Sequence, residues 1–480
     1  MCCLMQISCM VGPNFHSPPP APVKQFTEKP LPLKTVHTKG TGGKAQRFHP
    51  DTDLPILWWE LFHSPEINEL ITAGLNHSPN VTAAAAALRQ AGENWKAQIG
   101  SSLLPQVNGA MGVIRQRYSG VQIGIPGDSQ TFSLYNPAFN LSYTLDLFGG
   151  ARRQIEGLHA QIDYQRFQLI AAKVTLTTNI VTTAVNIASY QAQIDATNDL
   201  IKAQSNILDV LAAQYRLGGI SNADVLTQKA LVEQSKATLP PLETNLARAK
   251  HSMSALIGTF PDRPLPIIRL DRLQLPGDLP VTIPSMLVRQ RPDIRSAEAT
   301  MHKAMTQIGV ATANLLPQLT LSASDGWLNT TWARLFTSTN NVWSIAAQAS
   351  QPLFRGGSLL AQRRAAIAGF DQAAAQYQQT VLQAFQNVAD VLTAIEADAR
   401  TLQAQILAED AARASLKLTM DQYRLGAANY VNLLYAQRQY QQARINRIQA
   451  QALRYTDTAA LFQALGGGWW RKPWCAQTCL

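Results

Sequence analysis

Cysteine is missing from the whole middle of the chain. Cys2, Cys3 and Cys9 lie at one end, Cys475 and Cys479 lie at the other, and none lies between these two groups. This distribution excludes a disulfide framework and a cysteine-based metal site from the core. Long apolar runs are missing too. No stretch of about 18 apolar residues occurs, so we expect no transmembrane helix.

Signs of catalysis and of nucleic-acid binding are also absent. The net charge is +10, but the basic residues are thinly spread and cluster only as pairs such as Arg152-Arg153, whereas nucleic-acid sites show a basic stripe. The eight histidines lack catalytic or zinc-ligand spacing. Glycine-rich residues 40–44 have no strand before them and no helix after them, so we expect a flexible surface loop there. From the sequence we therefore expect a protein that is not an enzyme and that binds no cofactor, metal or nucleic acid.

Proline and glycine are scarce in two long runs. Residues 151–217 and 358–425 contain no proline and one glycine each, Gly157 and Gly369. Nothing in either run ends a helix before Gly218 or Gly426. We therefore expect two continuous helices of roughly 67 residues, each about 100 Å long at about 1.5 Å per residue.

The two runs belong to an internal duplication. Tyr215-Arg216-Leu217-Gly218 recurs 208 residues later as Tyr423-Arg424-Leu425-Gly426, and a Leu-Pro-Gln break at 104–106 recurs at 316–318. Pro240-Pro241 should kink the last helix of the first half, near residues 221–257. We divide the chain into a truncated signal or lipobox-like segment (1–9), a proline-rich N-terminal and equatorial segment (10–65), repeat 1 (66–258), a linker (259–284), repeat 2 (285–467) and a C-terminal tail (468–480).

Alternating apolar and polar side chains predict four strands. Apolar residues at 139, 141, 143, 145 and 147 alternate with polar ones, residues 319–324 repeat the pattern, and 105–118 and 341–354 show weaker versions. Strands of roughly ten residues cross a bilayer when tilted, but an open sheet edge in lipid leaves backbone groups unpaired at several kcal/mol each. We therefore expect the chain to oligomerise, two copies giving eight strands and three giving twelve.

The N-terminal segment carries a candidate lipidation site. Cys9 follows the small residue Ser8 and a short apolar segment, as a lipoprotein acceptor does. Gln6 stands where such signals usually carry leucine, and the start lacks basic residues. We interpret residues 1–9 as a truncated signal and expect lipidation of Cys9.

Over nearly its whole length the chain resembles the outer membrane efflux proteins of the TolC-like class, nearest the NodT/OprM lipoprotein branch. The resemblance rests on Val11-Gly12-Pro13, Trp58-Trp59-Glu60-Leu61-Phe62, Arg291-Pro292-Asp293-Ile294-Arg295, both Tyr-Arg-Leu-Gly turns and Ala464-Leu465-Gly466-Gly467-Gly468-Trp469. It implies a mainly α fold with membrane β structure: a homotrimer in which four strands per chain complete a 12-stranded β-barrel, continuous with a long helical α-barrel.

The same resemblance implies a function. Such a trimer is a passive exit duct in the outer membrane, anchored by lipid and extending into the periplasm. It works with a periplasmic adaptor, or membrane fusion protein, and an inner membrane RND-type pump, and it exports drugs or other small toxic compounds.

In the resembling family, the helix turns close the periplasmic end and open when an adaptor docks. The resemblance therefore assigns adaptor-facing and inter-helix roles to Tyr215, Arg216, Leu217 and Gly218 and to Tyr423, Arg424, Leu425 and Gly426. Gly218 and Gly426 each follow a helix, where glycine adopts the left-handed conformation without steric cost.

The family commonly narrows its pore with carboxylates just beyond the second turn, and this chain departs from that pattern. The matching positions carry Asn432 and Tyr435, and Val431 matches an apolar constriction. The first-half counterpart of Asn432 is Asp224. We therefore expect an iris-like gate in which Val431 and Tyr435 pack together and Asp224 pairs with a neighbouring donor.

Two other interpretations stay open. A type I protein secretion duct has a similar architecture, and the sequence does not separate it from a duct for small molecules. A soluble coiled-coil scaffold or periplasmic adaptor usually has one helical hairpin, whereas this chain has two matching hairpins and four amphipathic strands.

Overall fold

The computed structural model describes residues 10–19, 23, 25–50, 52, 54–124, 127, 129–281 and 284–471. Cys9, the expected lipidation site, lies outside these residues. The chain divides into two compact units, and each unit draws on both sequence halves. The first unit comprises Met1–Pro18, Ala87–Arg166 and Ser296–Gln378, and the second comprises Pro19–Ala86, Phe167–Arg295 and Gln379–Leu480.

Helices make up most of the described chain. They are α1 (Pro65–His77), α2 (Pro79–Leu103), α3 (Gly150–Arg216), α4 (Asn222–Lys236), α5 (Leu239–Leu256), α6 (Pro284–Gln290), α7 (Pro292–Ala313), α8 (Ser358–Arg424) and α9 (Tyr430–Ala464). The two long helices are confirmed, since α3 and α8 are each 67 residues long and end just before the predicted turns. Of the helices that the structure describes, none combines the length and hydropathy needed to cross a bilayer.

The expected kink at Pro240-Pro241 is a complete break. Helix α4 ends at Lys236, and α5 begins at Leu239, so Pro240 lies in the first turn of a new helix. A proline is tolerated there because the first backbone N–H groups of a helix have no intrahelical acceptor. The matching part of the second half, α9, is continuous over 35 residues.

The strands form two sheets, one in each unit. They are β1 (Arg47–Pro50), β2 (Gln106–Ser119), β3 (Ser129–Leu145), β4 (Asp278–Val281), β5 (Gln318–Trp327) and β6 (Asn341–Ser350). The second unit holds the short parallel pair β1 and β4, and the first unit holds an antiparallel sheet in the order β2-β3-β5-β6. The four predicted strands are thus confirmed, but β2 and β3, with 14 and 17 residues, are longer than expected.

The register of the four-stranded sheet separates apolar from polar side chains. One row across all four strands contains Val107, Leu141, Ala323 and Ile345. The adjacent row contains Asn108, Asn140, Ser324 and Ser344. Because successive residues of a strand point to opposite faces, these rows lie on opposite faces, which we name the apolar face and the polar face.

A buried arginine in the second unit organises the segment that was expected to be a flexible surface loop. Arg454 of α9 is 1% exposed. Its guanidinium donates to the carbonyl oxygens of Gly42 (2.6 Å) and Lys44 (3.3 Å) and to Oε1 of Gln46 (3.0 Å). The surface-loop prediction for residues 40–44 is therefore wrong at Gly42 and Gly43, which are buried. A buried guanidinium requires such acceptors, because an unpaired buried charge is very costly.

A second buried arginine holds the N-terminal segment in the first unit. Arg153, 2% exposed, donates to the carbonyl oxygens of Val11 and Gly12, both at 3.2 Å, and to Oδ1 of Asn14 at 2.8 Å. The backbone N–H of Val11 also donates to the carbonyl of Phe148 at 3.1 Å. The residues that follow Cys9 are thus fixed beside the end of β3.

Candidate functional site at the two matching turns

The two Tyr-Arg-Leu-Gly segments form the same helix-ending turn. After α3, the N–H groups of Gly218 and Gly219 donate to the carbonyls of Tyr215 and Gln214, both at 2.9 Å. After α8, Gly426 and Ala427 repeat this pair of bonds to Tyr423 (3.1 Å) and Gln422 (2.8 Å). Gly218 has φ 77° and Gly426 has φ 72°. This is the Schellman motif, in which a left-handed residue satisfies the last helical carbonyls, and a side chain at either glycine would strain it.

The helices after the turns begin with different caps. In the first half, Oγ of Ser221 accepts from the N–H of Ala223 at 3.0 Å, and a carboxylate oxygen of Asp224 accepts from the N–H of Ser221 at 3.4 Å. In the second half, Oδ1 of Asn429 accepts from the N–H of Asn432 at 2.9 Å. Asp224 therefore closes a capping box, while Asn432 uses only its backbone and keeps its side chain exposed.

An apolar cluster joins the ends of these helices. Its buried members are Leu211 of α3 and Tyr430 and Leu433 of α9, and we call it the tip cluster. Partly buried side chains surround it: Ile207, Ile220, Val225, Leu416, Met420, Tyr423 and Leu434. The cluster draws on α3, α4, α8 and α9, so it packs the two sequence halves together.

A buried polar chain crosses the tip cluster. The hydroxyl of Tyr430 donates to Oε1 of Gln228, and Nε2 of Gln228 donates to the carbonyl of Gln204 at 2.8 Å. Gln228 is fully buried. These bonds link α9 to α4 and then to α3, and losing one partner would leave a buried polar group unpaired at about 1–3 kcal/mol.

Two tyrosines and one carboxylate meet beside this chain. The rings of Tyr423 and Tyr430 lie 5.9 Å apart between centroids. Burial and the negative charge of Asp224 raise the pKa of Tyr423. Burial, Tyr423 and Asp224 together raise the pKa of Tyr430 strongly. Both phenols therefore stay protonated at physiological pH, and the Tyr430 hydroxyl donates its hydrogen bond to Gln228.

The outer surface of the turns is apolar and unusually exposed. Leu217 is 87% exposed and Leu425 is 84% exposed, and neither packs against the tip cluster. Arg216 and Arg424 are exposed beside them, and Arg424 lies 3.7 Å from Asp421. Tyr215 is also exposed, whereas its counterpart Tyr423 is half-buried, so the two turns are not equivalent.

The predicted gate residues lie in two different settings. The negative charge of Asp224 acts on Tyr423 and Tyr430 and raises the pKa of both phenols. Val431, Asn432 and Tyr435 follow an exposed face of α9, with Val431 at 55% and Tyr435 at 73% exposure. The sequence interpretation missed Tyr430 and Gln228. The buried spacing Tyr430, Leu433, Ala436 and Gln437 on α9 could have indicated Tyr430, but nothing local marks Gln228.

Comparison with known proteins agrees with this architecture. The sequence model of the family "Outer membrane efflux protein" matches residues 70–259 and 283–467. The pyoverdine export outer membrane protein OpmQ of Pseudomonas putida is 29% identical over 436 residues, covering 89% of this chain and 90% of its own. The toluene efflux pump outer membrane protein TtgF, from another strain of Pseudomonas putida, is 29% identical, covering 96% of this chain and 94% of its own. The solved outer-membrane channel OprN is 26% identical, with a TM-score of 0.83 over 96% of this chain and all of that one.

Proposed function

Because the chain belongs to the outer membrane efflux protein family, and is thus a channel component of tripartite pumps and not an enzyme, we propose that three copies form a passive exit duct for drugs or other small toxic compounds. The relatives are named for different compounds, pyoverdine and toluene. We therefore propose a class of cargo and no particular substrate. The energy for transport comes from an inner membrane pump of the RND type, reached through a periplasmic adaptor.

The four-stranded sheet supports this proposal most directly. Strand β2 pairs only with β3 and strand β6 only with β5 among the described residues, so the outer edge of each is open. The apolar face carries exposed Val107, Phe139 and Ile345. Lipid tolerates such an apolar face but does not tolerate open edges. Copies of the chain must therefore pair β6 of one with β2 of the next. Two copies would give an eight-stranded barrel, whose interior is filled by side chains. Three copies give a twelve-stranded barrel, which leaves a lumen for cargo.

Lipidation of Cys9 belongs to the same proposal. Arg153 and the carbonyl of Phe148 fix the residues after Cys9 beside the strand end that continues into α3. In a barrel of this topology, that strand end lies at the membrane surface facing the periplasm. An acyl chain on Cys9 would therefore enter the nearer leaflet without any rearrangement of the fold.

The mass of the detergent-extracted particle tests the duct. We expect a particle of about three chains of 52.5 kDa from the outer membrane fraction, and an intact-chain mass that includes acyl groups on Cys9. A dimer would contradict the twelve-stranded barrel. A soluble monomer would overturn the duct and favour the scaffold interpretation, whereas a trimer with an unmodified chain would remove only the lipid anchor.

We also propose that the second-unit turns form the gate, held by the tip cluster within each chain and by the exposed side chains of α9 between chains. Val431 and Tyr435 are free to pack on a neighbouring copy because little of this chain covers them. Asp224 is half-exposed, and among the described residues one of its carboxylate oxygens accepts a single long bond, from the N–H of Ser221. Its second oxygen is thus available to a donor on that copy.

Replacing Asp224 separates two possible roles. Asp224→Ala removes both the negative charge and the N3 acceptor of the capping box. We expect greater uptake of large antibiotics in both Asp224→Ala and Asp224→Asn, because both variants lose the negative charge. Asp224→Asn keeps an acceptor, so it separates the loss of charge from the loss of the cap. Ser221→Ala is the matched control, because it loses a capping hydroxyl and keeps the charge of Asp224. Antibiotic uptake in this variant should stay at the wild-type level. Unchanged uptake in both Asp224 variants would remove this residue from the gate.

A further inference from the structure

The apolar face changes character along the hairpin of β2 and β3. Pairing is continuous from Gln106 opposite Ser142 to Ser119 opposite Ser129, so residues of odd number stay on one face throughout. From Val107 to Val113, and from Leu141 to Tyr135 opposite them, this face carries apolar or small side chains. Beyond that point it is polar: Arg115 faces Ser133, Arg117 faces Thr131, and Ser119 faces Ser129.

The polar face of the same hairpin changes from polar near the helices to apolar near the hairpin loop. Near the helices it carries Asn108 and Asn140, but near the hairpin loop Ile114 lies opposite Leu134 and Gln116 lies opposite Phe132. A strand segment with polar residues outside and apolar residues inside has left the hydrocarbon layer. The boundary of that layer on this hairpin therefore lies near Tyr135.

An aromatic collar marks the same boundary. The Tyr135 ring lies 5.7 Å from that of Trp332, and Trp332 lies 6.1 Å from Phe336. The Trp327 ring lies 5.4 Å from that of Phe336, and Trp327 has the parity of the apolar face. Aromatic girdles of this kind sit at membrane interfaces, at the level of the lipid headgroups.

Two arginines lie just beyond the collar. Arg115 and Arg117 are both exposed and, two residues apart on one face, are separated by about 7 Å. Nη2 of Arg117 donates to Oγ of Ser129 at 2.9 Å, while Arg115 has no hydrogen bond or ion pair with any residue that the structure describes. Asp325 is the one acidic residue in the described strands β2, β3, β5 and β6. It lies on β5 of the other hairpin, where its Oδ1 accepts from Nδ2 of Asn341 on β6 at 2.9 Å. The positive charge of the pair is thus not neutralised within the sheet.

We propose that Arg115 and Arg117, with the hydroxyls of Ser129, Thr131 and Ser133, bind the phosphate group of a lipid in the outer leaflet. The assignment rests on the proposed duct, which directs the hairpin loops outward and the helices to the periplasm. The collar fixes the arginines at headgroup depth, where phosphate is the available anion. Guanidinium groups bind phosphate through paired, charge-assisted hydrogen bonds, and the neighbouring hydroxyls donate to the remaining oxygens.

The test measures lipid bound to the folded, full-length particle in detergent by native mass spectrometry. The probes are lipid A carrying two phosphates, the same glycolipid after enzymatic dephosphorylation, and inorganic phosphate. Wild type should prefer the phosphorylated lipid, and Arg115→Gln with Arg117→Gln should weaken its binding at least about tenfold, since each charge-assisted bond is a strong one. Arg47→Gln with Arg263→Gln, an exposed pair in the second unit with the same loss of charge, should leave binding unchanged.

Each contrary result has a distinct meaning. Equal binding of the two lipids by wild type, or unchanged binding in the Arg115 and Arg117 variant, overturns the lipid site. Displacement of the lipid by inorganic phosphate at equal concentration would assign the site to free phosphate and also overturn it. Particle mass and drug efflux are measured on the same preparations. A particle that is not trimeric refutes the proposed function, whereas an active trimer without lipid preference refutes only this inference.

Discussion

Ile345→Arg is expected to abolish recovery of the folded channel from the outer membrane. Ile345 lies on the apolar face of β6, is 79% exposed in the single chain and is aligned with Ala323, Leu141 and Val107. An arginine facing lipid near the middle of a bilayer costs about 2–4 kcal/mol. That cost lowers the folding equilibrium of each chain roughly 30- to 1,000-fold, and every trimer contains three copies. The measurement is the amount of heat-resistant trimer in outer membrane fractions, compared with wild type.

The neighbouring residue provides the matched control. Ser344 adjoins Ile345 in the sequence but lies in the polar row with Ser324, Asn140 and Asn108. Ser344→Arg introduces the same side chain toward the lumen, so trimer recovery should stay near the wild-type level. If the two variants behave alike, the apolar face does not contact lipid, and the barrel in the proposed function is wrong.

Leu217→Asp combined with Leu425→Asp is expected to stop efflux while leaving the trimer intact. Both leucines are exposed at the turn tips and lie outside the tip cluster, so the chain itself does not need them for packing. If an adaptor covers them, each contributes about 1.5–3 kcal/mol, and their loss weakens adaptor binding by at least about 100-fold. Burying aspartate in the same contact adds a further cost. Adaptor binding to the purified channel and drug susceptibility of a host that depends on it are the measurements.

A second double variant controls for the added charge. Leu33 and Ile267 are 86% and 82% exposed in the second unit and lie away from the turns in the sequence. Leu33→Asp with Ile267→Asp should leave adaptor binding and susceptibility unchanged. Normal adaptor binding by the Leu217 and Leu425 variant would show that the turns are not the docking surface.

Local chemistry explains why the helices were predictable and one strand was not. The ends of α3 and α8 follow from glycine at 218 and 426 and from the scarcity of proline before them. Strand β3 was expected to begin near Phe139 but begins at Ser129, on the far side of Pro137. Pro137 pairs with Met111 of β2, but Tyr135, two residues earlier, donates its N–H to Asn329 on the side opposite β2. The N–H that Pro137 lacks would point to that same side, where pairing with β5 begins only at Ala138 opposite Gly326, so its absence costs no bond to β2. That partner lies almost two hundred residues away, and no local pattern reveals where its pairing stops.

The helix-ending turns show the same division between local features, which the sequence predicts, and long-range contacts, which it does not. The helix ends at Gly218 and Gly426 were predictable because a C-terminal cap depends on backbone groups within a few residues. The bond from Tyr430 to Gln228 was not readable, because it joins the two sequence halves. Asp224 and Asn432 each stand three residues after the N-cap of their helix. Only the three-dimensional arrangement brings Asp224 near enough to Tyr423 and Tyr430 for its charge to raise the pKa of both phenols.

The sequence by itself determined the duplication, the two 67-residue helices, the closing turns and the presence of four two-faced strands. These features depend on backbone sterics and on hydrogen bonds between near neighbours, which a short stretch of residues specifies. The tertiary structure alone decided strand register, the buried contacts of Arg153 and Arg454, the Tyr430 to Gln228 bond, and the position of Arg115 and Arg117 beyond the aromatic collar. Those features arise from contacts between distant parts of the chain, where many pairings satisfy the same local pattern and only the packed whole selects one.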